Sequence, residues 1–262
     1  MREFLEAIIT RAGQIAMEHK ARLADVRVDR KSSKDLVTEA DVAVEQYLVE
    51  QIQQRYPDHA IVGEETGTHA GGAYRWIIDP IDGTTSFVHD QPFFSNSVAL
   101  EKDGELILAA VNAPALGELF MAEKGAGAAL NGKPIRVSNA DQLIDCVLGT
   151  GFACLRANLA HNNLPYFNRI APIARGVRRF GSAAIDLCYV ACGRLDGFWE
   201  LNLQIYDVAA GRLILTEAGG TYSDFAGKTG NILRENLATN GRIHNELSAL
   251  LMEVKQAADV KF

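Results

Sequence analysis

The chain has 262 residues, 48% of them hydrophobic and 23% charged, which excludes a disordered protein and suffices for one large domain or two closely packed halves. Its 33 acidic residues against 26 basic ones leave a net charge of -7, which argues against nucleic acid as the main partner and agrees with a cluster of metal-binding carboxylates. Cys146, Cys154, Cys188 and Cys192 show no zinc-like Cys-x-x-Cys spacing and sit in apolar sequence, so they read as small core residues of a reducing compartment. Arg2, Glu3, Glu6 and Arg11 break the first apolar run before it is long enough for a signal peptide or a membrane span, and a cytoplasmic location with no membrane partner is expected.

In chain order, Phe4, Ile8, Ala12, Ile15 and Ala16 fall at helical spacing and predict an amphipathic helix over residues 4–20. A charged loop over 29–35 leads to Thr38-Glu39-Ala40-Asp41, a capping box with Asp in place of Glu. The helix it starts carries Val44, Tyr47, Leu48 and Ile52 and ends near Tyr56-Pro57. Ala60-Ile61-Val62 is a short strand that delivers Gly63-Glu64-Glu65, followed by a Gly-rich loop through Gly72. Trp76-Ile77-Ile78 reads as a buried strand that ends at Asp79-Pro80, because proline cannot continue a ladder. Asp79 and Asp82 leave that strand on either side of Pro80-Ile81, and Gly83-Thr84-Thr85-Ser86 suits a helix start.

Residues 95–100 and 105–111 flank Asp103-Gly104, a hairpin signal, and 119–121 and 128–130 continue toward Asn131-Gly132. This antiparallel meander, after two helices, predicts an α+β half with helices on one face, ending around Ser138 to Asp141. The second half alternates: a strand over 146–149, a mostly helical stretch over 158–175, and a helix opened by Gly181-Ser182-Ala183-Ala184 and stopped by Gly193. A strand over 197–200, a helix over 208–218 stopped by Gly219-Gly220 and a strand over 221–223 complete it. No linker separates the halves, 1–140 and 141–262, so they are expected to be subdomains rather than independent domains.

Each acidic position also has a plain structural reading. Asp41 suits a helix cap, Glu64 a solvated turn, Asp82 the cap of the helix through Thr85, and Asp207 the N-cap of the helix through Ala218. Glu64, Asp79 and Asp82 gain weight together, since all three follow apolar strand runs in one half of the chain and carry the hard oxygens that Mg²⁺ requires. Spacing alone leaves Asp207 a helix cap.

Several segments resemble the inositol monophosphatase family: Asp35-Leu36-Val37-Thr38-Glu39-Ala40-Asp41, Gly63-Glu64-Glu65, Trp76-Ile77-Ile78-Asp79-Pro80-Ile81-Asp82-Gly83-Thr84-Thr85-Ser86-Phe87, Asp207-Val208-Ala209-Ala210-Gly211 and Glu217-Ala218-Gly219-Gly220. The resemblance implies an α+β or α/β fold, a layered αβαβα sandwich of the inositol monophosphatase and fructose-1,6-bisphosphatase type. It also implies Li⁺-sensitive hydrolysis of a phosphate monoester with two or three Mg²⁺ ions per site, and a homodimer. Carried over by residue, the metal ligands would be Glu64, Asp79, the carbonyl of Ile81, Asp82 and Asp207, with Asp79 bridging. Thr84, paired with Asp41, would activate the water held beside Glu64, and the amides of Gly83 and Thr84 would receive phosphate oxygens.

By the same resemblance Gly181, Ser182, Ala183, Glu200 and Asp207 would contact the alcohol, and inositol 1-phosphate is the expected substrate. Read alone, Gly181 to Ala184 suit close helix packing, and Glu200 suits a strand-end surface acid. Tyr206 replaces the Trp usual before the last metal aspartate, a feature shared with histidinol-phosphate phosphatases, so that substrate or a broader sugar or nucleotide phosphatase activity stands as the alternative. A regulatory protein on a phosphatase fold, with a protein partner in RNA metabolism, is the alternative from another class.

Overall fold

The structure, a computed structural model, describes residues 1–22, 28–30, 36–230 and 234–259, with backbone alone over 28–30, 36–37 and 258–259. Most of the charged loop expected over 29–35, with Asp35, lies outside the described residues. Helix α1 spans Arg2–Lys20 and buries Leu5, Ile8, Ile9, Ala12 and Ala16 along one stripe. A small antiparallel pair, β1 (Val28–Arg30) and β2 (Leu36–Thr38), leads into α2 (Glu39–Arg55). Thr38 and Asp41 form the expected reciprocal capping box at its start.

An eight-stranded sheet follows: β3 (Ala60–Gly63), β4 (Gly67–His69), β5 (Tyr74–Asp82), β6 (Ser95–Lys102), β7 (Glu105–Ala113), β8 (Glu118–Glu123), β9 (Gly127–Leu130) and β10 (Lys133–Pro134), in the order β10-β9-β8-β7-β6-β5-β3-β4. The Gly-rich segment is thus partly strand, since Gly67–His69 pairs back on β3. The turn at Asp103-Gly104 takes positive φ at both residues (50° and 86°), as does Asn131-Gly132 (48° and 76°), the backbone of tight hairpins.

Strand β5 does not stop at Pro80. It runs to Asp82, and its partner β6 meets Asp79 at Ser97 and Asp82 at Ser95, so three steps on β5 match two on β6. That extra residue is a bulge, and a bulge is where a sheet accepts a proline that offers no N–H. Asn96 Nδ2 donates to the Pro80 carbonyl at 2.6 Å and fixes the kink. Five-residue helix α3 (Thr84–Val88) follows.

The second sheet has five strands in the order β12-β11-β13-β15-β14: β11 (Val147–Thr150), β12 (Gly176–Arg178), β13 (Gly197–Leu201), β14 (Thr221–Ser223) and β15 (Glu235–Thr239). Strand β11 is parallel to β12 and β13, and β15 is antiparallel to β13 and β14. The helices of this half are α4 (Ala153–Arg156), α5 (Leu164–Ile170), α6 (Ala183–Ala191), α7 (Ile205–Glu217) and α8 (His244–Asp259). The long helix expected over 158–175 is therefore only α5. Asn158 sits at φ 53°, which ends helical geometry before it.

Layering follows from side-chain alternation on strands buried on both faces. Trp76, Ile78, Val98, Leu100, Ala110 and Met121 pack with α1 and α2. Ile77, Ala99, Ala109, Val111, Phe120 and Ala122 point the other way and pack with α6 and α7. The first sheet is thus covered on both faces, not one, and its second cover comes from the later half of the chain. Phe198, Tyr222 and Ala238 of the second sheet face the same middle helices, while Leu148, Trp199, Leu201 and Leu237 face α5 and α8. The order is α, β, α, β, α, the expected sandwich.

Candidate active site

Residues placed at the carboxyl end of β5 converge with the starts of α2, α6 and α7. The kinked strand presents Asp79 and Asp82, and α7 presents Asp207. One oxygen from each of these three carboxylates lies within 4.8 Å of the others. Asp207 is the third residue of α7, not its N-cap. Gln204 caps the helix, and Asp207 Oδ2 accepts from the Gln204 amide at 2.5 Å. Asp82 does not cap α3 either. Its Oδ2 accepts from Ser182 Oγ and the Ala184 amide, both at 2.7 Å, so it caps α6 of the other half.

Each cluster carboxylate therefore keeps an oxygen for another partner. Asp79 is the extreme case: it is 1% exposed and its Oδ1 has no hydrogen-bond partner among the described residues. An isolated buried carboxylate oxygen is costly unless a cation or proton meets it. Burial, reinforced by Glu64 and Asp82, holds the Asp79 carboxyl well above the usual carboxylate range. Burial does the same to Asp207, with Asp82 the next cause. Asp82 is pushed up to about 6, mainly by burial and despite the hydrogen bonds from Ser182 and Ala184. Hard, acidic, incompletely satisfied oxygens are the donor set that Mg²⁺ prefers.

Glu64 stands outside the three-carboxylate cluster but lines the same cleft with Ile81, Gly83, Thr84 and Arg156. Its turn is held by Glu45, a fully buried acid of α2 that accepts from the amides of Glu65 (3.0 Å) and Thr66 (2.6 Å). Thr84 Oγ1 lies 3.3 Å from Asp41 Oδ1 and 3.1 Å from the Ile81 carbonyl, and its one proton can serve either. Asp41 Oδ2 accepts from the Thr38 amide and hydroxyl at 2.8 and 2.5 Å. Burial outweighs those bonds and pushes Asp41 up to about 6. Asp41 is thus a helix cap and a neighbour of the site at once. Gly83 adopts φ 93°, and a Cβ there would come within 2.8 Å of the Phe93 carbonyl and 3.2 Å of the Gly181 carbonyl, so no other residue fits the turn.

The adjoining pocket is lined by Gly181, Ser182, Ala183, Glu200 and Asp207, together with Arg156 and Arg179. Glu200 is not a surface acid. It is 6% exposed, its Oε1 accepts from the Ala153 amide at 2.9 Å, and burial pushes it up to about 7. The structure places Glu64, Asp79, Ile81, Asp82, Gly83, Thr84 and Asp207 around one cleft and Gly181, Ser182, Ala183 and Glu200 around the adjoining pocket, while buried Asp41 reaches the cleft only through Thr84. Glu45, Asp186, Arg156 and Arg179 were not singled out. Of these, Asp186 carried a signal, as the only charged residue in the otherwise apolar helix Ala183–Ala191.

The family model described as "Inositol monophosphatase family" matches residues 1–258. The Nus factor SuhB of Pseudomonas aeruginosa is 45% identical over 223 residues, 82% of each chain. The inositol-1-monophosphatase of Synechocystis is 45% identical over 229 residues, 85% of this chain and 78% of that one. The crystal structure of the extragenic suppressor protein suhB from Bartonella henselae superimposes with a TM-score of 0.90 at 36% identity, covering 95% of this chain and 97% of that one. Fold, cleft and these matches together make the chain a member of the inositol monophosphatase family.

Proposed function

We propose that the protein is a Mg²⁺-dependent, Li⁺-sensitive phosphate monoester hydrolase that converts inositol 1-phosphate and water to inositol and phosphate. The observation that carries this is the convergence of Asp79, Asp82 and Asp207 around an unpartnered buried carboxylate oxygen. Glu64, Asp79, Asp82, Asp207 and the Ile81 carbonyl would hold two or three ions. Such ions, when bound, neutralise phosphate charge and lower the pKa of a water.

This chain's own groups supply positioning, which is most of what phosphoryl transfer asks of a protein. Thr84 offers its hydroxyl beside Asp41 Oδ1, a pair able to orient a water and take up its proton. The amides of Gly83 and Thr84, at the start of α3, would receive phosphate oxygens. Ser182, by bonding Asp82, fixes the carboxylate's orientation, and Glu200 accepts hydrogen bonds from the departing alcohol.

A panel of phosphate monoesters that includes histidinol phosphate, assayed with Mg²⁺ and with chelator, tests the reading. Inositol 1-phosphate should turn over fastest, only with Mg²⁺, and Li⁺ should inhibit. Asp79→Asn should lower turnover of every substrate by a factor of about a thousand or more, while Glu200→Gln should cost about tenfold and mainly on inositol phosphate. Preferred turnover of histidinol phosphate, or equal losses in the two variants, would overturn the assignment.

Relatives named Nus factor SuhB favour a second reading, in which the protein also binds a protein partner in RNA metabolism. The inactive Asp79→Asn protein tests it in the same series. Retention of a co-purifying transcription protein supports this role, and its absence from both variant and wild type removes it.

A further inference from the structure

One acid beside the cleft has no task in the hydrolysis. Asp186 is 1% exposed, lines the pocket that holds Glu200, and its Oδ1 has no hydrogen-bond partner among the described residues. Its place in the first turn of α6 suggests a helix cap, but other groups already fill that role. Ser182 Oγ accepts from the Ile185 amide at 3.2 Å, and Asp82 Oδ2 accepts from the Ala184 amide at 2.7 Å. A buried carboxyl without a partner costs stability and needs another explanation.

The strand opposite supplies it. Gly149 of β11 and Gly151, just past its end, are two residues apart and so turn the same face. A Cβ on Gly149 would come within 2.9 Å of Leu195 Cδ1 and 3.0 Å of Asp186 Oδ1, and one on Gly151 within 2.0 Å of Glu200 Oε2. Any side chain at Gly151 would displace the Glu200 carboxyl, and one at Gly149 would crowd that of Asp186. The two glycines, roughly 6 to 7 Å apart by strand spacing, thus leave room for the two acids along one strand face. Arg179 lines the same pocket, and its charge partly offsets the effect of burial on both acids.

We infer that Asp186 is a specificity-determining residue, a second hydroxyl-binding group that works with Glu200 to select an alcohol carrying several hydroxyls over one with none beyond the esterified oxygen. This rests on the phosphatase reading for its substrate but concerns only the alcohol. Burial holds Asp186 well above the usual carboxylate range and Glu200 at about 7, so each acid can donate to a hydroxyl oxygen as well as accept from a hydroxyl.

Asp186→Ala and the isosteric Asp186→Asn are compared with wild type on inositol 1-phosphate and on 4-nitrophenyl phosphate. Asp186→Ala should raise KM for inositol 1-phosphate about tenfold with kcat little changed, while kcat/KM for 4-nitrophenyl phosphate stays within about twofold. Asp186→Asn, which keeps a hydrogen-bonding group, should recover most of the loss. Equal losses on both substrates, or an unchanged KM for inositol 1-phosphate, would overturn the inference and leave Asp186 a packing residue. Saturation-transfer NMR of free inositol with inorganic phosphate separates this from the phosphatase reading. A transfer signal seen with wild type and abolished by Asp186→Ala supports the inference even if no phosphate ester is hydrolysed. A signal of equal strength in Asp186→Ala, or none in wild type, removes it.

Discussion

Carboxyl groups in this cleft are worth more as proton holders than as charges until something replaces the protons. Asp41 and Asp82 are pushed up to about 6 and Glu200 to about 7, all mainly by burial. Unfolded, they titrate near 4. Because the folded values are raised, the stability these groups contribute is full below about pH 4 and is lost as pH rises through about 6 to 7. A cation bound in place of the protons reverses that loss. The gap in Tm between Mg²⁺-loaded and chelator-treated protein should therefore widen from about pH 5 to about pH 8, as thermal unfolding across that range would show. A gap independent of pH would mean that Asp82 does not face the ion. At this scale the sequence was legible where a motif fixed the residue, as for Asp79 and Asp82. It was opaque for Glu45, which sits among other charged residues of α2 and becomes special only because its helix face meets the turn at Glu65 and Thr66.

Elements carry the pocket around Glu200 through a buried polar network behind it. Trp199 Nε1 donates to Asn163 Oδ1 at 2.7 Å, and Asn163 Nδ2 donates to Thr150 Oγ1 at 2.8 Å and to the Gly151 carbonyl at 2.6 Å. Thr150 Oγ1 in turn donates to the Trp199 carbonyl at 2.8 Å. The network ties β11 to β13 at the level of Glu200. Asn163→Ala would strand an indole N–H and a carbonyl in the interior, and should cost about 3 kcal/mol, read as a lower urea midpoint. An unchanged midpoint would show that water replaces the amide. Strands and helices of strong period, such as α1 and the hairpin at Asp103-Gly104, were legible in the sequence. The passage through Pro80 was not, because a bulge depends on the neighbouring strand. Nor was the break at Asn158, where asparagine's tolerance of the left-handed region is a weak signal against a helix.

The whole molecule is five layers whose halves meet at the cleft. Asp82 caps α6, Ser95 Oγ lies 3.1 Å from Ser182 Oγ, and Ser86 Oγ donates to the Phe180 carbonyl at 3.4 Å, so the seam is polar where the site lies and apolar beside it. Among the described residues no helix is long and apolar enough to cross a membrane. The αβαβα order was legible through family resemblance. Period and spacing alone suggested helices on one face of the first sheet, since nothing local in 95–130 says what will cover its second face. That cover has a consequence for biosynthesis. Ile77, Val111 and Phe120 wait for α6 and α7, which leave the ribosome long after the meander is complete. A fragment ending at residue 140 should accordingly bind a hydrophobic dye and aggregate, whereas a soluble, dye-silent fragment would show that the first half matures without its partner. On the nascent chain, the lower half of the active site exists for a time as an unfinished surface, and the catalytic cleft closes in the same event that hides it from aggregation.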